Sequence, residues 1–202
     1  MSILKDTVSI TVITLVAGLA LGVVQDITAD PIAQQKLKAK QEAYEAVFPE
    51  AESFGEVVLG DKAEELAGVL SENGYGAQNI DEVMTALDAL DNEIGYAFTV
   101  TTSEGYGGDI QFAMGVQNDG TLNGISILSI GETAGLGMKA DTDAFKDQFK
   151  NKKVEKFIYT KNGASSEDEI DALSGATITT NAMTNGVNAG LCAFQYMEGG
   201  AQ

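Results

Sequence analysis

The chain has 202 residues and a formal net charge of −18, with Lys+Arg 12 against Asp+Glu 30, every basic residue a lysine, and no His. That length fits one globular domain plus an appendage, and a hydrophobic content of 44% is enough for a real core. The charge excludes a nucleic-acid binder, the missing Arg excludes bidentate guanidinium clamps, and the missing His excludes Ser-His and Cys-His nucleophiles and imidazole zinc sites.

The first element is an uncharged run from Thr7 to Val24. At about 1.5 Å per residue it makes a helix of roughly 27 Å, close to the hydrocarbon thickness of a bilayer. A membrane anchor is expected over residues 1–29; a signal peptide cleaved near Ala20-Leu21-Gly22 is the competing reading. Gly18 and Gly22 form a small-xxx-small pair on which another membrane helix could pack. Lysines are too evenly placed to orient the anchor. The long acidic remainder can be exported whatever its charge, so the N-terminus is expected inside and the domain outside.

Asp30-Pro31 reads as a helix start, with Asp as N-cap and Pro in the first turn of a stalk that Pro49 stops, giving a stalk and linker over 30–60. Residues 61–202 form the remaining domain. Helices are expected from Lys62 to Ser71 and from Ile80 to Leu90. Tyr96, Phe98 and Val100, then Ile110, Phe112, Met114 and Val116, alternate with polar or small residues as half-buried strands do. Asp119-Gly120 turns the second of these into a third strand, Leu122 to Ile130. A short helix, Asp143 to Lys150, a strand, Val154 to Thr160, and a last helix near 178–197 follow. Hairpins with segregated helices imply an α+β domain built on an antiparallel sheet with flanking helices, preceded by one N-terminal transmembrane helix.

Cys192 cannot form an internal disulfide or hold an iron–sulfur cluster alone, EF-hand spacing is absent, and no metal site is expected. A chain so poor in catalytic groups is a carrier or a scaffold, and demanding chemistry must come from a cofactor. The most informative stretch is Asp171-Ala172-Leu173-Ser174-Gly175-Ala176-Thr177-Ile178-Thr179-Thr180. It opens the last helix with small hydroxyl residues. Ser174 could cap, Gly175 permits close backbone approach, and the free N–H groups make an anion site. On residue types alone, a helix cap with small residues for tight packing is the favoured reading, because caps of this composition are ordinary.

The segment D-x-x-S-G-A-T resembles the flavinylation motif of the FMN-binding domain family, whose closing threonine carries FMN through a phosphoester bond made by a flavin transferase. Thr177 matches that acceptor, Ser174, Gly175 and Ala176 the residues before it, and Asp171 the leading acid; Thr180 falls in the same turn. Glu132-Thr133-Ala134-Gly135-Leu136-Gly137 resembles the family's E-T-P-G-L-G loop beside the flavin, with Ala134 replacing a proline. Glu104-Gly105-Tyr106-Gly107-Gly108 resembles its G-Y-G-G segment at the start of a strand, with Tyr106, Gly107 and Gly108 as candidate flavin contacts. Within the family, a chain of this length with one membrane helix is similar to the G subunits of Rnf-type ferredoxin:NAD oxidoreductases and related to the C subunits of sodium-pumping NADH:quinone oxidoreductases.

The resemblance implies covalent FMN on Thr177, electron relay within a membrane complex that moves Na⁺ or H⁺, and as partners the other subunits, the membrane and, during maturation, the flavin transferase. It implies no activity for the isolated chain. A stand-alone membrane-anchored flavoprotein and a cofactor-free anchored binding module are the alternatives. Acidic surroundings disfavour an anionic reduced flavin, so a low potential is expected.

Overall fold

The computed structural model describes residues 3–60 and 62–199. The chain divides into two compact units, Met1–Gln41 and Glu42–Gln202. The first is the greater part of one helix, α1 (Ile3–Val47). Its apolar side chains lie exposed along the N-terminal part of the helix, Leu19 and Leu21 among them. Among the described residues, α1 is the helix long and apolar enough to cross a membrane. Thr7, Thr11 and Thr14 each donate their hydroxyl to the carbonyl four residues back, so they bring no unmet polar group into that stretch.

The expected helix start at Asp30-Pro31 is not observed: Pro31 lies inside α1. A proline there removes one backbone hydrogen bond, but Ala29, Ala33, Gln34 and Gln35 on either side favour helix and carry it through. The helix ends at Val47, before Pro49.

In the second unit, five strands form an antiparallel meander in chain order: β1 (Ser53–Glu56), β2 (Gln78–Leu87), β3 (Glu93–Thr102), β4 (Ile110–Gln117) and β5 (Leu122–Ser129). Helix α2 (Lys62–Glu72) follows β1. After β5 come a 3₁₀ turn at Gly137–Asp141, the short helix α3 (Asp143–Lys146) and a second 3₁₀ turn at Asp147–Phe149. A two-stranded parallel ribbon, β6 (Ile158–Thr160) with β7 (Glu169–Asp171), precedes the long helix α4 (Thr177–Met197).

The segment from Ile80 to Leu90, expected to be helical, is mostly strand. Ile80 pairs with Val100 and Glu82 with Thr99, so Asp81 is an extra residue bulged out of β2. The bulge puts Ile80 and Val83 into the same core although they are three residues apart, and a spacing of three is what a helix would show. The strand expected from Val154 is also shorter than its apolar pattern. Phe157 is buried, but Asn188 of α4 takes up its backbone: the Phe157 N–H donates to Asn188 Oδ1 at 2.7 Å and Asn188 Nδ2 donates to the Phe157 carbonyl at 2.9 Å.

Both faces of the sheet are covered, unlike the half-buried strands expected. One face carries the large side chains Phe98, Phe112 and Met114 under α4 and α2. The other carries Ala86, Ala97 and Ala113, over which Tyr44, Val47 and Phe48 lie. Small residues are required on that second face: a Cβ at Gly115 would come within 2.8 Å of the Phe48 ring and the Val47 carbonyl. Tyr44 hydrogen-bonds there to Glu82 at 2.7 Å and Thr99 at 2.6 Å, and burial pushes its phenol pKa well above the ordinary value.

Candidate functional site

Helix α4 begins on a tight turn. The Ala176 N–H donates to the Leu173 carbonyl at 3.0 Å, and Gly175 sits at φ +78, a left-handed conformation that side chains resist. Thr180 locks the turn from inside, accepting from the Leu173 N–H at 3.0 Å and donating to the Ala176 carbonyl at 2.9 Å. Ser174 is therefore exposed and does not cap: the capping position is Ala176, with no side-chain hydrogen bond. Thr177 is the first helical residue, half-buried, with exposed Ile178 after it and buried Thr179 and Thr180 beyond. The first N–H groups of α4 have no carbonyl to meet inside the helix and face outward with its positive end.

Two loops meet this turn. The Thr133 carbonyl accepts from the Leu136 and Met138 N–H groups at 3.1 and 3.2 Å, and Gly135 at φ +77 allows the bend. Glu132, 8% exposed, binds both neighbours of that loop: its Oε2 accepts the Thr179 hydroxyl at 3.0 Å and its Oε1 accepts the Gly107 N–H at 3.1 Å. Gly137 fits under this bridge, since a Cβ there would lie 2.5 Å from both Glu132 Oε2 and Thr179 Oγ1.

The three segments enclose a cavity of about 530 Å³. Tyr106 forms one wall, Glu132, Thr133, Leu136 and Gly137 a second, and the run from Gly175 to Thr179 a third. Of the residues expected at the site, the structure brings together Thr177, Gly175, Ala176, Glu132, Thr133, Leu136, Gly137 and Tyr106. Ser174, Ala134, Gly135, Gly107 and Gly108 belong to the same turns and loops without lining the cavity. Asp171 is engaged elsewhere: it ends β7, its Oδ1 accepts the Ala164 N–H at 2.7 Å, and its own N–H donates to Gln148. Thr180 is committed to the turn. Ile178 and Thr179 line the cavity without having been expected. Ile178, 53% exposed in a helix whose neighbours are buried, was detectable as an apolar residue off the packed stripe. Cys192 lies half-buried against the core, its thiol pKa pushed up by burial, and takes no part here.

The residues present suit a flavin mononucleotide. The volume lies in the range of small-molecule pockets, about 300–1,000 Å³. Tyr106 and Leu136 expose apolar surface at its mouth, as Ile178 does, and suit a flat aromatic ring. The free end of α4 suits a phosphate without any arginine. Among the described residues no cluster of His, Cys, Asp and Glu is placed to hold a metal ion.

Comparison with known proteins agrees with this reading. Residues 105–191, which include the cavity, match the FMN-binding domain family. The chain is 31% identical over 190 residues to the G subunit of the Na⁺-translocating ferredoxin:NAD⁺ oxidoreductase complex of Acetobacterium woodii, covering 92% of this chain and 88% of that protein. It is 30% identical over 200 residues to the G subunit of the proton-translocating ferredoxin:NAD⁺ oxidoreductase complex of Clostridium ljungdahlii, covering 98% and 95%. Among solved structures, Shewanella oneidensis NqrC aligns over 56% of this chain and 57% of its own, at 20% identity and a TM-score of 0.48. With near full-length similarity to these two G subunits and an FMN-binding domain in its C-terminal half, the chain belongs to the family of G subunits of ion-translocating ferredoxin:NAD⁺ oxidoreductase complexes.

Proposed function

We propose that this protein is a membrane-anchored electron-transfer subunit that carries FMN esterified to Thr177 and works inside an Rnf-type complex coupling electron flow to Na⁺ or H⁺ movement. The observation that carries the reading is the convergence on one cavity of three segments far apart in sequence, with the Thr177 hydroxyl on its wall. The bound flavin supplies reversible one- and two-electron chemistry. The chain's part is to hold and orient it. Thr177 fixes the phosphate at the start of α4, where unpaired N–H groups favour negative charge. A covalent bond keeps the cofactor on a domain facing the outside of the cell, where a dissociated flavin would be lost by dilution. In this reading residues 1–29 anchor, residues 30–60 link, and residues 61–202 hold the cofactor, with the N-terminus inside and a flavin transferase acting during maturation.

The test is a redox assay in the intact complex. Adding reduced ferredoxin is expected to bleach the flavin on this subunit, and adding NAD⁺ to restore its absorbance; a flavin that stays oxidised throughout overturns the electron-transfer role. A second expectation concerns potential. Glu132 is buried at the cavity, the chain carries −18, and no arginine or histidine offsets it, so reduction to an anionic hydroquinone is disfavoured. Spectroelectrochemical titration is expected to place the midpoint below that of free FMN, and a midpoint well above it contradicts the electrostatic account.

A further inference from the structure

Glu104 lies outside the cavity wall, in the loop between β3 and β4, and its bonding is unusual for a loop residue. Its Oε2 accepts two amide donors from different elements: Gln78 Nε2 at the start of β2 and Asn185 Nδ2 in α4, each at 2.8 Å. Gln78 is 7% exposed and also reaches Thr102 Oγ1 at 3.3 Å. Its orientation carries a penalty. With the NH₂ turned to the carboxylate, the buried Gln78 Oε1 finds no donor among the described residues. Turning the amide over would set oxygen against oxygen at the Glu104 contact, so the carboxylate dictates the arrangement.

The loop held this way leads directly to Tyr106. Gly105 and Gly107 flank it, and neither site has room for a side chain: a Cβ at Gly105 would lie 2.2 Å from the Gly108 carbonyl, and one at Gly107 2.2 Å from that of Gly131. The other end of the loop is tied by the Gly107 N–H to Glu132, which also takes the Thr179 hydroxyl. Two carboxylates therefore fasten the Tyr106 loop to the same helix, Glu132 at its first turn and Glu104 at Asn185, about two turns further along. Tyr106 itself is 71% exposed, so little packing holds it.

We propose that Glu104 is a positioning residue, which through Gln78 and Asn185 sets the Tyr106 wall at a fixed place relative to Thr177 on α4. The importance of that wall rests on the flavin reading above, while the fastening itself does not. The loop's order and the flavin's presence can therefore be tested separately.

The chain contains no tryptophan, so Tyr106→Trp gives a single fluorescent reporter in the full-length protein purified in detergent and made without flavin transferase. Adding Glu104→Ala is expected to raise the fast, local component of its anisotropy decay about twofold. Adding Glu104→Gln is expected to leave it near the parent, because an amide oxygen can accept the same two N–H groups. Gln78→Met, which removes one donor together with the orphaned oxygen, is expected to loosen the reporter without lowering the unfolding temperature. It carries the test should Glu104→Ala not fold. A reporter unmoved by Glu104→Ala and Gln78→Met overturns the proposal, and so does Glu104→Gln loosening it as much as Glu104→Ala.

In a second arm, protein with its native Tyr106 is made with the flavin transferase. Glu104→Ala is expected to keep the full mass increment of FMN while its visible circular dichroism departs from the parent and Glu104→Gln restores it. If the parent gains no flavin mass, the reading of Thr177 fails, and the reporter arm still decides the role of Glu104.

Discussion

Replacing Thr177 with alanine is expected to abolish flavin attachment completely while leaving the fold intact. In a host that supplies the flavin transferase, the parent chain should gain a mass equal to FMN minus water, survive denaturing electrophoresis as a fluorescent band, and show a flavin spectrum after unfolding. Thr177→Ala should show none of these. The result should be all-or-none because an ester needs the oxygen, and the two hydroxyls that follow Thr177 in the helix are otherwise engaged. Thr179 donates to Glu132 and Thr180 to the Ala176 carbonyl, both within buried side chains, whereas Ser174 lies on the exposed turn before the helix. Stability should change little. Thr177 is half-buried, its hydroxyl makes no hydrogen bond among the described residues, and alanine is a good helix former at the first position of α4. An unmodified parent would leave the turn as a helix start and favour an anchored binding module. A modified Thr177→Ala would move the attachment to Ser174, the remaining exposed hydroxyl of the motif.

Why the place of Thr177 on the cavity wall was legible in the sequence, and other features were not, follows from the range of the interactions involved. Thr177 and Gly175 act through a local turn, and a local turn is written in consecutive residues. Tyr106 and Leu136 came from glycine loops whose resemblance to a family was visible, although nothing in the chain said that the loops touch. The bridge that joins them, Glu132 to both Thr179 and Gly107, spans 47 residues one way and 25 the other. Glu104 to Asn185 spans 81. Such contacts leave no periodicity. Asp171 shows the opposite failure: adjacency in the motif suggested a role at the site, while its carboxylate serves the Ala164 backbone.

The fold was legible where the period was clean. Strands β3 and β4 and helix α4 announce themselves because their apolar residues repeat at two or near 3.6, whereas β5, whose own bulge leaves the core residues Leu122 and Ile125 three apart, is marked by the Asp119-Gly120 turn before it. Strand β2 was not legible, since one bulged residue, Asp81, turned its period into a helical one. The Asp-Pro signal at residue 30 was sound as local chemistry and lost to the helix formers on both sides. Strands β1, β6 and β7 are too short, at four, three and three residues, for any pattern to show.

The clean periodicity of α4 also conceals its tightest constraint. Its stripe through Met183, Val187, Leu191 and Phe194 is buried, but the closest approach to the sheet is made by residues without side chains. A Cβ at Gly186 would lie 2.9 Å from Phe112 Cε1, and one at Gly190 2.0 Å from Met114 Sδ. Phe112 and Met114 are fully buried, so neither has free space into which to retreat. Overpacking of a filled core costs about 1–3 kcal/mol per site and at times more. Gly190→Leu forces four added carbons against a buried thioether, and Gly186→Leu does the same against a ring. Combined, at about 2–6 kcal/mol and at times more, they reach the low end of the stability of an ordinary domain, about 5–15 kcal/mol. Gly190→Leu is therefore expected to lower the unfolding temperature sharply, and the double variant not to fold, as followed by circular dichroism of the full-length chain in detergent. Flavin loading should fall with it, since α4 carries Thr177 at one end of the same rigid element. Leucine at Gly68 of α2, an exposed helix position where no atom lies within 4 Å of the added Cβ, is the matched control; it should leave loading unchanged and not lower stability, since replacing glycine in a helix interior favours the helix. If Gly190→Leu melts with the control, α4 is not seated on Met114 as described, and the cavity built on its first turn would need to be redrawn.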